Sequence, residues 1–132
     1  MNKKRRFDVR LDPDAAKEYQ KIDNSVIRIV DKAIDELEIR ADEVGKPLGN
    51  KREIKLIGCR EIKLRDAGIR IIFKIASEVV DILRIVYVLT IESRGKDYVF
   101  KTAHKRFRIL QSSKYKISEF LKNATKWRGR RK

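Results

Sequence analysis

The stretch EIKLRDAGIRIIFKI, residues 61–75, contains two predicted strands joined by a tight turn. The charged residues at 61, 63 and 65 alternate with Ile62 and Leu64, which is the two-residue period of a half-buried strand. Asp66-Ala67-Gly68 is typical of a tight turn, and the apolar run Ile69–Ile75 follows it. This segment therefore predicts a pair of antiparallel strands with a charged face.

Upstream of this pair, the pattern predicts a short strand followed by two helices. Apolar and charged residues alternate over 7–11, and Asp12-Pro13 then combines an N-cap residue with proline at the first helical position. Two amphipathic segments follow, separated by Asp23-Asn24-Ser25, and Gly45 before Lys46-Pro47 ends the second. These two helices are expected to form an αα-hairpin.

Downstream, the pattern predicts one more strand, a helix and a basic extension. Ala76-Ser77-Glu78 is interpreted as a connection, and the nearly continuous apolar run Val79–Ile91 as a central strand covered on both faces. A helical pattern runs over 95–107. The sequence thus predicts an α+β fold over 1–107: an N-terminal strand and αα-hairpin packed on a small antiparallel sheet, followed by a C-terminal helix. Residues 108–132 form the extension, as part of the same unit or partly disordered.

Within this extension, an apolar stripe lies on a basic segment. We expect the stripe to be a helix that docks on the core or orders on binding. The basic tail over 127–132 would grip phosphate groups. The stripe consists of Ile117, Phe120, Leu121, Ala124 and Trp127.

The charge of the chain indicates an anionic partner. The 132 residues include 34 Lys and Arg against 19 Asp and Glu, a net charge of +15. Residues 101–132 hold 12 of these basic groups and the single acid Glu119. Such a field attracts phosphate backbones or acidic protein segments.

Several classes of protein are excluded by composition. A single cysteine, Cys59, cannot form an internal disulfide or a cysteine zinc site. No apolar run approaches the roughly 18 residues that a membrane-spanning helix needs. We therefore expect a cytoplasmic protein without a disulfide, a thiolate metal cluster or a membrane association. We also expect no metal and no small-molecule cofactor.

Five segments, taken in order and spacing, resemble a known family. They are Ala16–Tyr19, Gly45–Leu48, Leu56–Phe73, Ile91–Arg94 and Ala103–Arg106. Over roughly residues 7–107 the chain resembles the RelE/ParE superfamily of toxins from bacterial type II toxin–antitoxin systems. The resemblance implies the RelE-like fold and, for the branch most similar to this chain, a ribosome-dependent mRNA endonuclease (an mRNA interferase). It also implies metal-free cleavage by attack of the RNA 2′-hydroxyl, and neutralisation by a cognate antitoxin encoded beside the toxin.

The resemblance also implies site residues. The family's catalytic strand carries two lysines two residues apart, and here these positions hold Glu61 and Lys63. A tyrosine that some members carry falls at Phe100, with His104 one helical turn further on. The cations expected to hold the scissile phosphate are Lys63, Arg65, Arg70 and Arg94, and the candidates for proton transfer are His104 and Glu61.

Alternatives remain open for these residues and for the function. Glu61 could instead be an ion-pair partner for Arg70 or Lys63, and His104 a surface residue. The chain could be a ParE-like inhibitor of DNA gyrase without catalysis of its own, or a catalytically degenerate RNA-binding relative. Further RNA contacts are predicted at Lys105, Arg106, Arg128, Arg130 and Arg131.

Overall fold

A computed structural model describes residues 4–80, 82–112 and 122–127 of the chain. The α+β class and the order of the predicted elements are confirmed, and four two-residue strands are added. The elements are β1 (Phe7–Leu11), α1 (Pro13–Gln20), α2 (Ile27–Arg40), β2 (Lys46–Pro47), β3 (Asn50–Lys51), β4 (Ile54–Lys55), β5 (Cys59–Leu64), β6 (Ile69–Val80), β7 (Leu83–Glu92), α3 (Lys96–Ser112) and β8 (Thr125–Lys126).

The main sheet has six strands in the order β2-β5-β6-β7-β1-β8, while β3 and β4 pair separately. The β5-β6-β7 part is antiparallel, as the sequence predicts. The first strand differs from the prediction, because β1 is a member of the sheet and lies parallel to β7, from Phe7 opposite Arg84 to Leu11 opposite Val88. A parallel neighbour requires a long connection, and the helical hairpin together with β2–β6 supplies it.

The break between β6 and β7 also differs from the prediction. Residues 76–78 were expected to connect two strands, but β6 continues to Val80 and β7 begins at Leu83. The pairing shifts register between Ile75 and Val79. A bulge of this kind lets a strand absorb polar residues without ending.

Helices cover the sheet on both faces. The hairpin α1–α2 packs on one face around Leu11, Ile34, Leu37 and Phe73, and α3 packs on the other around Tyr87, Leu89 and Phe107. Double coverage explains why β7 is almost continuously apolar. Cys59 lies in the α3-side core, where burial raises the pKa of its thiol to about 12, as expected of a packing residue.

The segment after α3 returns to the main fold. β8 pairs antiparallel with the outer edge of β1, with Thr125 opposite Leu11. Trp127 is 1% exposed in the hairpin-side core, where its ring meets Tyr19 edge-on at 5.2 Å and its Nε1 donates to Asp35 Oδ1 at 2.9 Å. Two predictions included Trp127. Its burial confirms for this residue that the apolar stripe docks on the core, and contradicts its place in an exposed basic tail. Where the stripe was expected to be helical, Thr125–Lys126 forms a strand.

Of the predicted apolar stripe, Ile117, Phe120 and Leu121 lie outside the described residues, as does the tail after Trp127. Within the described ranges, no helix is long and apolar enough to cross a membrane.

Candidate functional site

A cluster of cations lies where β5, β6 and β2 meet. Lys63 is paired across the strands with Arg70, and Lys46 on β2 is paired with Glu61. Side chains two residues apart on a strand share a face, so Lys63 and Arg70 lie on the same face as the buried Ile72 of the α3-side core. We name Lys46, Lys63, Arg65 and Arg70 the cationic cluster. The tight turn over 65–68 fixes this register, as the sequence predicts.

A close backbone approach holds β2 against β5. Gly45 precedes β2 with φ of +72°, and a Cβ atom at this position would lie 2.5 Å from the carbonyl oxygen of Glu61. Arg60 reinforces the contact by donating to the carbonyl oxygens of Val44 and Gly45. Only glycine fits here, so this approach fixes the position of Lys46.

Lys63 is exposed at the centre of the cluster, where like charges disfavour its ammonium form. The positive charge of Arg65 is the largest cause that lowers its pKa, followed by partial desolvation and the charge of Arg70. Glu61 opposes this shift, and Lys46 adds to it slightly. A larger fraction of Lys63 is therefore neutral at a given pH than for an isolated lysine.

Glu61 is buried beneath this cluster. Its side chain is 2% exposed, and its Oε2 lies 3.0 Å from Nε of Arg70, which is itself 22% exposed. Neither atom makes a geometrically acceptable hydrogen bond with any described residue, so the contact is an ion pair. Of the alternatives left open by the sequence, the structure gives the ion pair with Arg70.

Arg94 does not contact the cationic cluster. Its guanidinium lies over the ring of Tyr98 at 4.4 Å, and its Nε is 3.9 Å from Glu92 Oε2. It lines a cleft of about 380 Å³ between the α1–α2 connection, the first residue of β6 and the last residues of β7. Glu92, the carboxylate beside Arg94, is itself opposite Arg70 in the pairing of β6 with β7.

His104 contacts the β3–β4 hairpin. Its Nδ1 accepts a hydrogen bond from the backbone N–H of Lys55 at 2.9 Å and thereby ties β4 to α3. The structure gives His104 an anchoring contact with the backbone of Lys55, and its proton-transfer role stays a prediction.

The predicted RNA contacts divide into three groups. Lys105 is exposed on α3. Arg128, Arg130 and Arg131 lie outside the described residues. Arg106 is turned inward, because it donates to both carboxylate oxygens of Glu18 at 3.0 and 2.8 Å and to the carbonyl oxygen of Leu89.

Arg106 was predicted to contact RNA because of its charge, but its hydrogen bonds give it a structural role. Burial opposes its charge, but the hydrogen bonds and charge of Glu18 outweigh this and raise the pKa of Arg106. Glu18 also accepts from the hydroxyl of Thr90 and from the backbone N–H of Ile91. One carboxylate thus joins α1, β7 and α3.

Replacing Glu18 with alanine is expected to lower the free energy of unfolding by about 3 kcal/mol, because the partly buried Arg106 would lose its partner. Chemical denaturation followed by circular dichroism measures this change. Glu36→Ala is the matched control, since its pair with Arg40 is half exposed and should contribute at most about 0.5 kcal/mol. Equal losses in the two variants would contradict the joining role of Glu18.

A groove that the sequence did not predict lies beside the β3–β4 hairpin. This groove of about 810 Å³ lies between the hairpin and the first turns of α3. Phe100 lines it, with Lys96 Nζ 5.6 Å from the ring centroid, and Lys51 and Arg52 line it at the hairpin tip. The adjacent basic residues Lys51 and Arg52 could have indicated this groove. The sequence contains no further sign of it, because strands of two residues are too short to show an alternation of apolar and polar residues.

No three His, Cys, Asp or Glu side chains in the described ranges are grouped closely enough to hold a metal ion.

Comparison with known proteins identifies the family. Residues 9–98 match the model of the ParE toxin of the type II toxin–antitoxin system parDE. The chain belongs to the ParE toxin family. The RelE/ParE resemblance deduced from the sequence is therefore confirmed. The ParE-family match includes the whole cationic cluster and ends before Phe100.

Relatives of this ParE-family toxin give the same result. A RelE-like toxin protein of Escherichia coli is 30% identical over 103 residues, which is 78% of this chain and 99% of that protein. Two solved structures share the fold at 24% identity. A double arginine-to-alanine variant of E. coli RelE toxin in the free state has a TM-score of 0.56 over 78% of this chain and 98% of that one. Isolated E. coli RelE toxin has a TM-score of 0.53 over 76% and 98%.

Proposed function

We propose that this toxin is a ribosome-dependent mRNA endonuclease acting in the cytoplasm. The observation that carries the proposal is the cationic cluster. The four cations lie together on one face of the sheet, with the buried carboxylate of Glu61 beside them. Like charges held together are unfavourable unless an anion joins them, and an RNA phosphate has the required charge and size.

The reaction proposed is an internal transesterification of RNA. The 2′-oxygen forms a bond to the adjacent phosphorus while the bond to the 5′-oxygen breaks. This leaves a 2′,3′-cyclic phosphate and a 5′-hydroxyl, whose oxygen takes a proton from solvent. Lys63 in its neutral form accepts the 2′-hydroxyl proton, which the lowered pKa of its amine favours.

The arginines of the cluster would stabilise the transition state. Negative charge accumulates on the phosphorane oxygens as the new bond forms. Arg70 and Arg65 remain charged throughout and present planar arrays of donors to these oxygens. A cognate antitoxin with an acidic segment would restrain the toxin by occupying the same cations.

The test is cleavage of a reporter mRNA by purified toxin, with and without translating ribosomes. Arg65→Gln is expected to slow cleavage by about 10²-fold, since it removes one charge that stabilises the transition state. Arg84→Gln is the matched control, because Arg84 is exposed at the opposite end of β7 and should leave cleavage unchanged. An mRNA that stays intact while expression of the toxin still arrests growth would refute the proposal.

Inhibition of DNA gyrase is the second candidate. Two observations favour it: Phe100 has no hydroxyl for proton transfer, and Glu61 neutralises part of the cluster by pairing with Arg70. A supercoiling assay with purified gyrase separates the two functions. Inhibition by wild-type toxin together with intact mRNA would establish the second candidate.

A further inference from the structure

Glu61 is a buried carboxylate beneath the exposed cationic cluster, and its burial there requires an explanation. Burial of an ionised carboxylate is costly unless a cation pairs with it, and here Nε of Arg70 lies 3.0 Å away. The 2% exposure of Glu61 also keeps it from reaching a ribose hydroxyl of bound RNA. Its part in this site is therefore exerted through Arg70.

The side on which Arg70 is held determines what its guanidinium can bind. Glu61 forms its ion pair with Nε of Arg70. No described residue accepts a hydrogen bond from either terminal nitrogen, and the side chain is 22% exposed. Two parallel donors remain for the oxygens of a phosphate, which is the bidentate geometry that arginine favours.

We propose that Glu61 is a positioning residue that fixes Arg70 through Nε, so that the two terminal nitrogens of Arg70 bind an RNA phosphate. This inference rests on the proposed function, because it assigns how the same site grips RNA. The proposal and simple electrostatics predict opposite results. Removal of a negative charge near RNA should strengthen binding, whereas loss of a fixed guanidinium should weaken it.

The experiment measures binding of a short single-stranded RNA in which every ribose is 2′-O-methylated, so that cleavage cannot occur. Glu61→Gln is expected to weaken binding about tenfold, as is Arg70→Met. The double variant should bind no more weakly than Arg70→Met alone, since both changes remove one interaction. Binding by Glu61→Gln as tight as wild type, or tighter, would overturn the proposal.

Glu61→Asp keeps the charge and shortens the side chain by one methylene. We expect it to weaken binding in the same direction, which no change of net charge could explain. It also tests the proposal if Glu61→Gln does not fold, and circular dichroism checks the folding of each variant. Glu43→Gln, which removes an exposed charge near Arg6 and Arg40, is the control and should not weaken binding.

The pH dependence of cleavage is a second measurement, and it reports the charge of Glu61 near Lys63 separately from its contact with Arg70. The charged groups that act on Lys63 are Lys46 of β2, Glu61 and Arg65 of the β5 segment, and Arg70 of β6. Glu61 raises the pKa of Lys63, so its loss lowers that pKa further. Because the neutral amine is the base, the rise of cleavage with pH should shift to lower pH in Glu61→Gln.

The two proposals can fail separately. If wild-type toxin binds the methylated RNA but cleaves no mRNA, the proposed function fails, and the effect of Glu61→Gln on binding still decides the positioning role. If wild-type toxin cleaves mRNA on the ribosome but binds no free RNA, the proposed function stands, and the cleavage rates of Glu61→Gln, Arg70→Met and the double variant decide the positioning role in the same way. Unchanged affinity in Glu61→Gln would leave Glu61 as a structural ion pair and overturn the inference, whatever the pH profile of the variant.

Discussion

Replacing Lys63 with methionine is expected to slow cleavage of mRNA on the ribosome by about 10²- to 10⁴-fold, the contribution typical of a positioned general base. Methionine keeps most of the length of the side chain and removes only the amine. In wild-type toxin the rate should rise with pH as Lys63 loses its proton, and in the variant this dependence should disappear. Single-turnover cleavage measured between pH 6 and pH 10 gives both results.

The stability of the same variant provides the control. Lys63 is repelled by Arg65 and Arg70, so its folded-state pKa is lowered and its charged form destabilises the fold below that pKa. Lys63→Met should therefore melt at the same temperature as wild type or higher. A variant that cleaves normally, or one that loses activity only by unfolding, would contradict the assignment of Lys63 as the base.

Replacing Trp127 with alanine is expected to lower the free energy of unfolding by about 4 kcal/mol, a large part of the total stability of a domain of this size. The change empties the space of a fully buried indole and removes its edge-on contact with Tyr19. It also leaves Asp35 without the Nε1 hydrogen bond. Urea denaturation followed by far-ultraviolet circular dichroism measures the loss.

Two further substitutions calibrate this result. Trp127→Phe should retain most of the packing and lose about 1–2 kcal/mol with the hydrogen bond. Ile82→Ala should change stability little, because Ile82 is 87% exposed. If Trp127→Ala costs less than about 1 kcal/mol, the C-terminal segment does not stabilise the fold in solution.

Local pattern was sufficient to predict most of the fold. The alternation over 61–65, the turn at Gly68 and the Asp12-Pro13 signal each mark their element correctly, since strand period and helix caps depend on neighbouring residues. The parallel pairing of β1 with β7 could not be predicted in this way. Nothing in the alternation of 7–11 specifies which distant strand lies beside it.

The site was predictable to the extent that it is local. A tight turn places Lys63 opposite Arg70, so the cluster follows from the sequence of a single hairpin. Arg106 was not predictable, because its partner Glu18 is 88 residues away and a buried arginine has the same charge as an exposed one. His104 likewise depends on a contact with Lys55, 49 residues away.

The placement of β1 between β7 and β8 has a consequence for the order in which the chain folds. A nascent chain that grows at about 5–20 residues per second makes β1 several seconds before its partner over 84–88, and the outer edge is covered later still by residues 125–126. Until then the apolar side of the early helical hairpin has no complete sheet beneath it. Long-range pairings of this kind fold slowly, and chains that stop before β8 would present an open strand edge to aggregation or proteolysis. A partly synthesised copy would therefore be a target for cellular quality control before it could act as a toxin.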